Sequence, residues 1–174
     1  MTWLRYRTSE APNPRSLHLL LSFAVRYPEI STVRYDPRQQ TLKLGFLLRG
    51  EVTKSEFSQT ERKLQEMLEI YHLLEQRQPS VVAIAQDSLG ELTSLSLERD
   101  IASLKPEELY TVVEFVRGRF ADRVITEEIG VYGEEDMIAQ DEMIEEMLES
   151  LSRGRTGSNL IAIREDGRLM FFHK

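Results

Sequence analysis

The sequence predicts an α+β protein with a largely antiparallel sheet and helices on one face. Two observations carry this prediction. Segments with an apolar residue at every second position, typical of strands, alternate with longer segments whose apolar residues recur every three or four positions, typical of amphipathic helices. Short connections such as "DPRQQ" and "DSLG" join two strand segments directly, and such hairpins produce antiparallel pairs.

The first elements are a strand, a helix and a hairpin. Thr2–Arg7 alternates, so we expect a strand. Ser16 can cap a helix that ends at Tyr27, because the residue before Pro28 avoids the α region. The stripe predicted to be buried is Leu17, Leu20, Leu21, Ala24 and Val25. Strands are predicted at 31–35 and 41–48, the second with Leu42, Leu44, Phe46 and Leu48 on one face.

The middle of the chain predicts a long helix and a second hairpin. Thr53 and Glu56 have capping-box spacing, in which each side chain accepts from the other residue's free backbone N–H. The helix should run to about Arg77, with an apolar stripe of Phe57, Leu64, Met67, Leu68, Tyr71 and Leu74. Strands follow at 80–86 and 91–99. Residues 1–86 then have the ferredoxin-like order βαββαβ, so we expect a ferredoxin-like part over residues 1–100.

A smaller αβαββ part is expected over residues 101–174, unless the chain is one continuous domain. Pro106 suits the first turn of a helix, and "RVITEE" (123–128) is predicted to be a strand. An acidic helix is expected over Glu134–Ser152, with Met137, Ile144, Met147, Leu148 and Leu151 buried. The chain should end in a hairpin around Asp166 and Gly167, because "DG" between alternating runs favours a type I′ turn. We expect Glu165 opposite Arg168, Ile163 opposite Met170 and Ile161 opposite Phe172.

Composition excludes several kinds of chemistry. The chain has no cysteine, which rules out thiol catalysis, cysteine-ligated zinc and iron–sulfur clusters, and no disulfide framework argues for secretion. Neither a signal-peptide core nor an apolar run of membrane-spanning length is evident, so we expect a cytoplasmic protein without a membrane segment. The net charge of −7 disfavours broad nucleic-acid binding.

The acidic helix is the most unusual segment. Ten acidic residues lie between Glu127 and Glu149, with no lysine or arginine between Arg123 and Arg153. A solvated outer face is the simplest interpretation. A docking surface for a basic partner is the alternative, because methionine is the adaptable residue of such surfaces. The candidate partner-binding residues are Asp141, Glu142, Met143, Glu145, Glu146 and Glu149. A metal site would need ligands from more than one element.

The basic first part raises a second possibility. Residues 1–49 carry eight lysines and arginines against three acidic residues. Trp3, Arg5 and Arg7 combine an aromatic ring with positive charge on one strand face, as in proteins that hold single-stranded nucleic acid. Three residues do not make a basic stripe, so a surface strand is the simpler interpretation.

Two further motifs resemble ligand sites, but each lacks a part that the site requires. The loop Gly154–Asn159 is rich in glycine, but it follows a helix C-terminus, whose carbonyls repel anions, and it lacks the phosphate-loop lysine. We expect it to be a hinge. Glu69-x-x-His72 is half of a di-iron motif, whose other half is missing, so a solvated or hydrogen-bonded histidine is expected. We therefore expect no metal and no cofactor.

These observations favour a non-catalytic cytoplasmic interaction or regulatory module. It would bind another protein and form a homo-oligomer, most simply a dimer, through exposed edge strands. The first alternative is an RNA- or ribosome-associated protein that uses the basic N-terminal part. The second alternative is a carboxylate- or metal-dependent enzyme.

Overall fold

The computed structural model describes residues 14–127, 133–154 and 159–173. Four helices and six strands follow one another along these residues. They are α1 (Pro14–Arg26), β1 (Thr32–Asp36), β2 (Thr41–Arg49), α2 (Lys54–Leu74), β3 (Val82–Leu89), β4 (Leu92–Asp100), α3 (Pro106–Phe120), α4 (Glu134–Ser152), β5 (Leu160–Glu165) and β6 (Arg168–His173). The strand predicted at Thr2–Arg7 lies outside the described residues.

The six strands form a single antiparallel sheet in the order β3-β4-β2-β1-β5-β6. The predicted α+β class and antiparallel sheet are therefore confirmed. The pairing of β1 with β5 places strands from residues 1–100 and from residues 101–174 in the same sheet. The specific ferredoxin-like arrangement is not confirmed, since β4 lies between β3 and β2 rather than outside β3.

One face of the sheet carries the core, and the helices cover it. Inward positions in register across the central strands are aliphatic or aromatic, as in the rows Leu44–Leu97 and Phe46–Leu95. The opposite face carries exposed or half-buried side chains such as Arg34 and Lys43. This one-sided burial is typical of antiparallel sheets.

Local chemistry explains several element boundaries. The Thr53 hydroxyl accepts from the Glu56 N–H at 3.1 Å and begins α2. The Glu56 carboxylate does not complete the predicted capping box, because it accepts from Arg123 at 2.7 Å. Asp166 and Gly167 have φ of 48° and 70°, as a type I′ turn requires. The terminal hairpin has the predicted register, with Glu165 opposite Arg168.

The strand predicted for "RVITEE" is wrong. Residues Ala121–Arg123 form a single 3₁₀ turn, and Val124 makes one isolated bridge to Leu48. The reason is competition for β2. β4 occupies one side of β2 along its whole length, and β1 occupies the other as far as Gly45. Only the short end of β2 is left to pair with this segment.

Three predicted helix stripes are wrong at their edges. α1 begins at Pro14, so Ser16 lies inside the helix, and the buried apolar residues of α1 are Leu19, Leu20, Phe23 and Ala24. Leu21 is 39% exposed because α1 is apolar on more than one side, and α4 and the sheet together select which side is buried. In α2, Leu64 and Leu68 are buried as predicted, but Leu74 is 76% exposed and His72 is buried. Met137 of α4 is likewise exposed, whereas Ile144, Leu148 and Leu151 are buried.

Candidate functional site

The acidic residues of α4 divide into an inner pair and an outer face. Asp141 accepts from Arg26 of α1 at 2.9 Å, and Glu145 accepts from Lys105 at 3.3 Å. These two carboxylates therefore join α4 to α1 and to the start of α3. Their negative charge is already compensated inside the protein.

The outer face of α4 consists of Glu142, Glu146 and Glu149, which are exposed. Within the described ranges, none of the three forms an ion pair. Like charges three and four positions apart on one helix repel one another by a few tenths of a kcal/mol for each pair. A cationic partner would remove this repulsion, so the outer face can attract positive charge.

An apolar groove runs beside this acidic face, between α1 and α4. Its volume is about 290 Å³, and its lining consists of Leu21, Val25, Met143, His18, Ser22 and Gln140. The Ser22 hydroxyl donates to the Met143 sulfur at 3.2 Å, which holds the floor of the groove. Glu146 follows Met143 by three positions, so these two side chains are neighbours on the surface of α4, although Glu146 does not itself line the groove.

Met143 lies on the same helix as the outer glutamates, whereas Trp3, Arg5 and Arg7 lie outside the described residues. Positive charge is instead present on the open face of the sheet. Arg34 of β1 lies directly opposite Lys43 of β2. Like charges in direct cross-strand register are unfavourable, and Glu98, on the other side of Lys43, offsets part of the repulsion.

A buried ionic network lies under α2 and α3, and sequence analysis missed it. Arg99 of β4 has no exposed surface. Its Nε donates to Glu108 Oε1 at 2.5 Å and its Nη2 donates to Glu108 Oε2 at 3.0 Å, which is a bidentate pair. Nη1 donates to Asp100 and to the Val81 carbonyl, and Nη2 also donates to Ser103 Oγ. All five guanidinium N–H groups thus have an oxygen acceptor.

The charged forms of these groups are stabilised despite burial. Burial by itself lowers the pKa of Arg99, but the hydrogen bonds and negative charges of Glu108 and Asp100 outweigh it and leave the pKa raised. Burial raises the pKa of Asp100, and donors from Ser103 and Val81 together with Arg99 reverse this and lower it. Both shifts favour the charged forms of Arg99 and Asp100, which therefore pair as ions.

His72 of α2 completes the network. Its Nε2 lies 3.0 Å from Glu108 Oε2 and 3.2 Å from Arg99 Nη2. Because the Arg99 hydrogens already have oxygen acceptors, we assign the proton to His72 Nε2, which donates to Glu108. Glu69 is exposed, so the two residues of the Glu-x-x-His motif point to different surroundings.

This arrangement links three elements of the fold through buried side chains. Arg99, Glu108 and His72 connect β4, α3 and α2, and the buried side chains use their polar atoms on one another. A signal for the network exists in the sequence. In "LTSLSLERD" Arg99 shares the inward strand positions with Leu95 and Leu97, and Glu108 falls one turn before the buried Val112.

Other kinds of site have no support in the described parts of the chain. Residues 14–127, 133–154 and 159–173 contain no cluster of three or more histidine, aspartate or glutamate side chains that could hold a metal ion. Within the same residues, every helix is too short or too polar to cross a membrane. Comparison with protein-family models, with curated proteins and with solved structures finds no match to this chain.

Proposed function

We propose that this protein is a non-catalytic interaction module that binds a basic segment of another protein along the groove between α1 and α4. The observation that carries the proposal is an apolar floor, formed by Leu21, Val25 and Met143, beside a helix that also carries the exposed and unpaired carboxylates Glu142 and Glu146. An amphipathic helix with apolar anchors on one side and lysines on the other would match both features.

Electrostatics and side-chain type both support a peptide partner. Glutamates at the border of a groove attract a cationic segment and orient it, although each exposed charge adds little affinity. Methionine in the floor has three rotatable bonds and adapts to different apolar anchors. The groove's volume of about 290 Å³ is at the lower end of the range for small-molecule and cofactor pockets, so it suits a peptide anchor better than a whole cofactor.

A peptide titration tests the proposal. The probe is a short labelled helical peptide of leucine and lysine, with leucines three and four positions apart, and fluorescence anisotropy is the measurement. We expect binding that weakens with salt, and no binding of the same peptide with glutamate in place of lysine. The double substitution Glu142→Lys, Glu146→Lys should weaken binding about tenfold, which corresponds to about 1.4 kcal/mol.

Two further variants locate the binding surface. Leu21→Gln should weaken binding by making the floor polar. Glu66→Lys with Glu69→Lys, a matched pair of exposed glutamates on α2, should leave it unchanged. If the α2 variant lost as much peptide affinity as the α4 variant, or if the acidic peptide bound, the groove would not be the site.

RNA binding is the second candidate, and the direct pair of Arg34 and Lys43 on the open face of the sheet favours it. A single-stranded RNA oligonucleotide in the same titration separates the two functions. RNA binding that falls steeply with salt, together with no binding of the leucine–lysine peptide, would select the RNA alternative.

A further inference from the structure

Strand β3 is an edge of the sheet formed by the described residues, and its backbone groups alternate in direction. Among those residues β3 pairs with β4 alone. The Asp100 N–H donates to the Val81 carbonyl at 3.3 Å, so Val81 and Asp100 are a hydrogen-bonded pair. Hydrogen-bonded and non-hydrogen-bonded pairs alternate along an antiparallel ladder, so the next opposed residues, Val82 and Arg99, are a non-hydrogen-bonded pair. It follows that the odd-numbered residues of β3 bond to β4. The backbone groups directed away from the sheet belong to Val82, Ile84, Gln86 and Ser88.

The sequence of β3 does not protect this edge. Natural edge strands are kept apart by lysine, proline, shortness or bulges. β3 is eight residues long, its register with β4 is unbroken, and Asp87 is its one charged residue. At the other end of the sheet, β6 has six residues, with Arg168 and His173 at its two ends. Of the two edges, β3 is the one suited to pairing.

We propose that a second copy of this chain pairs antiparallel with β3 about a two-fold axis at Ala85. Val81 and Leu89 are equidistant from Ala85, so this register uses every outward backbone group from Val82 to Ser88. It is isologous and closes as a dimer, in which the six strands described for each copy join into one continuous sheet.

The side chains are complementary in this register. On the open face, Leu89, which is 52% exposed, lies opposite Val81 of the second copy and gains an apolar neighbour. Asp87 lies opposite Ala83 of the second copy, so the two carboxylates do not meet. Ala85 lies opposite Ala85, where a methyl group lets the two backbones approach. Shifting the register by two residues removes the Leu89–Val81 contact and leaves residues of both strands unpaired.

Cysteine cross-linking tests the register, because the natural chain contains no cysteine. Residues that face each other in a non-hydrogen-bonded antiparallel pair have Cα atoms about 4.5 Å apart, within the range of a disulfide. Ala85→Cys should therefore form a disulfide-linked dimer on mild oxidation, seen on a non-reducing gel. In the matched control Ala83→Cys the two thiols are about 14 Å apart along the strand direction, at about 3.4 Å for each residue. The Ala85→Cys disulfide should form at least about tenfold faster, because pairing raises the effective thiol concentration.

A charge substitution tests the dimer without cysteine. In Ala85→Lys two lysines would face each other at the axis, and sedimentation should show conversion of the wild-type dimer to a monomer. Ala102→Lys, at an exposed position after β4, should remain dimeric. The proposal is overturned if the wild-type chain is a monomer at high concentration, if Ala85→Lys remains a dimer, or if the two cysteine variants cross-link at equal rates.

Discussion

The buried pair of Arg99 and Glu108 makes a quantitative prediction about stability. In Glu108→Gln the side chain keeps its shape but loses its charge and replaces one acceptor oxygen with an N–H₂ group. Three short hydrogen bonds are affected, from Arg99 Nε at 2.5 Å, from Arg99 Nη2 at 3.0 Å and from His72 at 3.0 Å. The new amide N–H₂ group faces N–H donors of Arg99 or His72, and the positive charge of Arg99 stays buried without its main partner.

The expected cost follows from this geometry. Removing one partner of a buried ion pair destabilises a protein by about 3–5 kcal/mol. Asp100 still accepts from Arg99 Nη1, which places the expected value near the lower end, at about 3 kcal/mol. For a chain of this length that corresponds to a melting temperature lower by about 6–12 °C.

Urea unfolding followed by circular dichroism measures the decrease in the free energy of unfolding. An unchanged slope of the transition checks that the substitution has not altered the unfolded state. The control is Glu114→Gln on the same helix, whose carboxylate forms an exposed pair with Arg117 and should cost less than about 0.5 kcal/mol. The double variant Arg99→Met, Glu108→Leu should be less destabilised than the sum of its single substitutions by about 1–3 kcal/mol. If Glu108→Gln costs no more than Glu114→Gln, the network does not hold the three elements together.

Two further predictions concern pH and packing. Burial, reinforced by the charge of Asp141, raises the pKa of Tyr27 above its ordinary value of 10.0. Because folding favours the neutral phenol, the free energy of unfolding should stay constant as the pH approaches 10 and fall as the pH rises above 10. Urea midpoints measured across this range should fall less steeply for Tyr27→Phe than for the wild type. Tyr110→Phe, at a half-exposed position, is the control. At Gly45 an added Cβ would lie 2.0 Å from the Thr32 hydroxyl oxygen, so Gly45→Ala should lower the free energy of unfolding by about 1–3 kcal/mol. Thr32→Ala in the same chain should restore most of that loss, and an equal loss with and without Thr32→Ala would contradict the steric explanation.

Elements whose signals are local can be predicted from the amino-acid sequence alone. Capping at Thr53 begins α2, and the "DG" turn sets the register of the last hairpin, because both depend on atoms a few residues apart. The bounds of α4 were predicted at Glu134–Ser152 and are confirmed, since its apolar residues recur at helical spacing. The acidic candidates on α4 could be named in the same way, because a run of charge is visible without knowing its neighbours.

Features that depend on which elements meet are set by contacts between segments distant in the chain. "RVITEE" has a strand pattern, yet β1 and β4 leave it only the end of β2. α1 could bury either of two apolar sides, and its position between α4 and the sheet selects Leu19 and Phe23 over Leu21. Asp141 and Glu146 look equivalent in the sequence, but Arg26, 115 positions away from Asp141, compensates only the first. Hydrogen bonds, ion pairs and sheet edges are shared between segments distant in the chain, so local periodicity predicts each segment without predicting its partners.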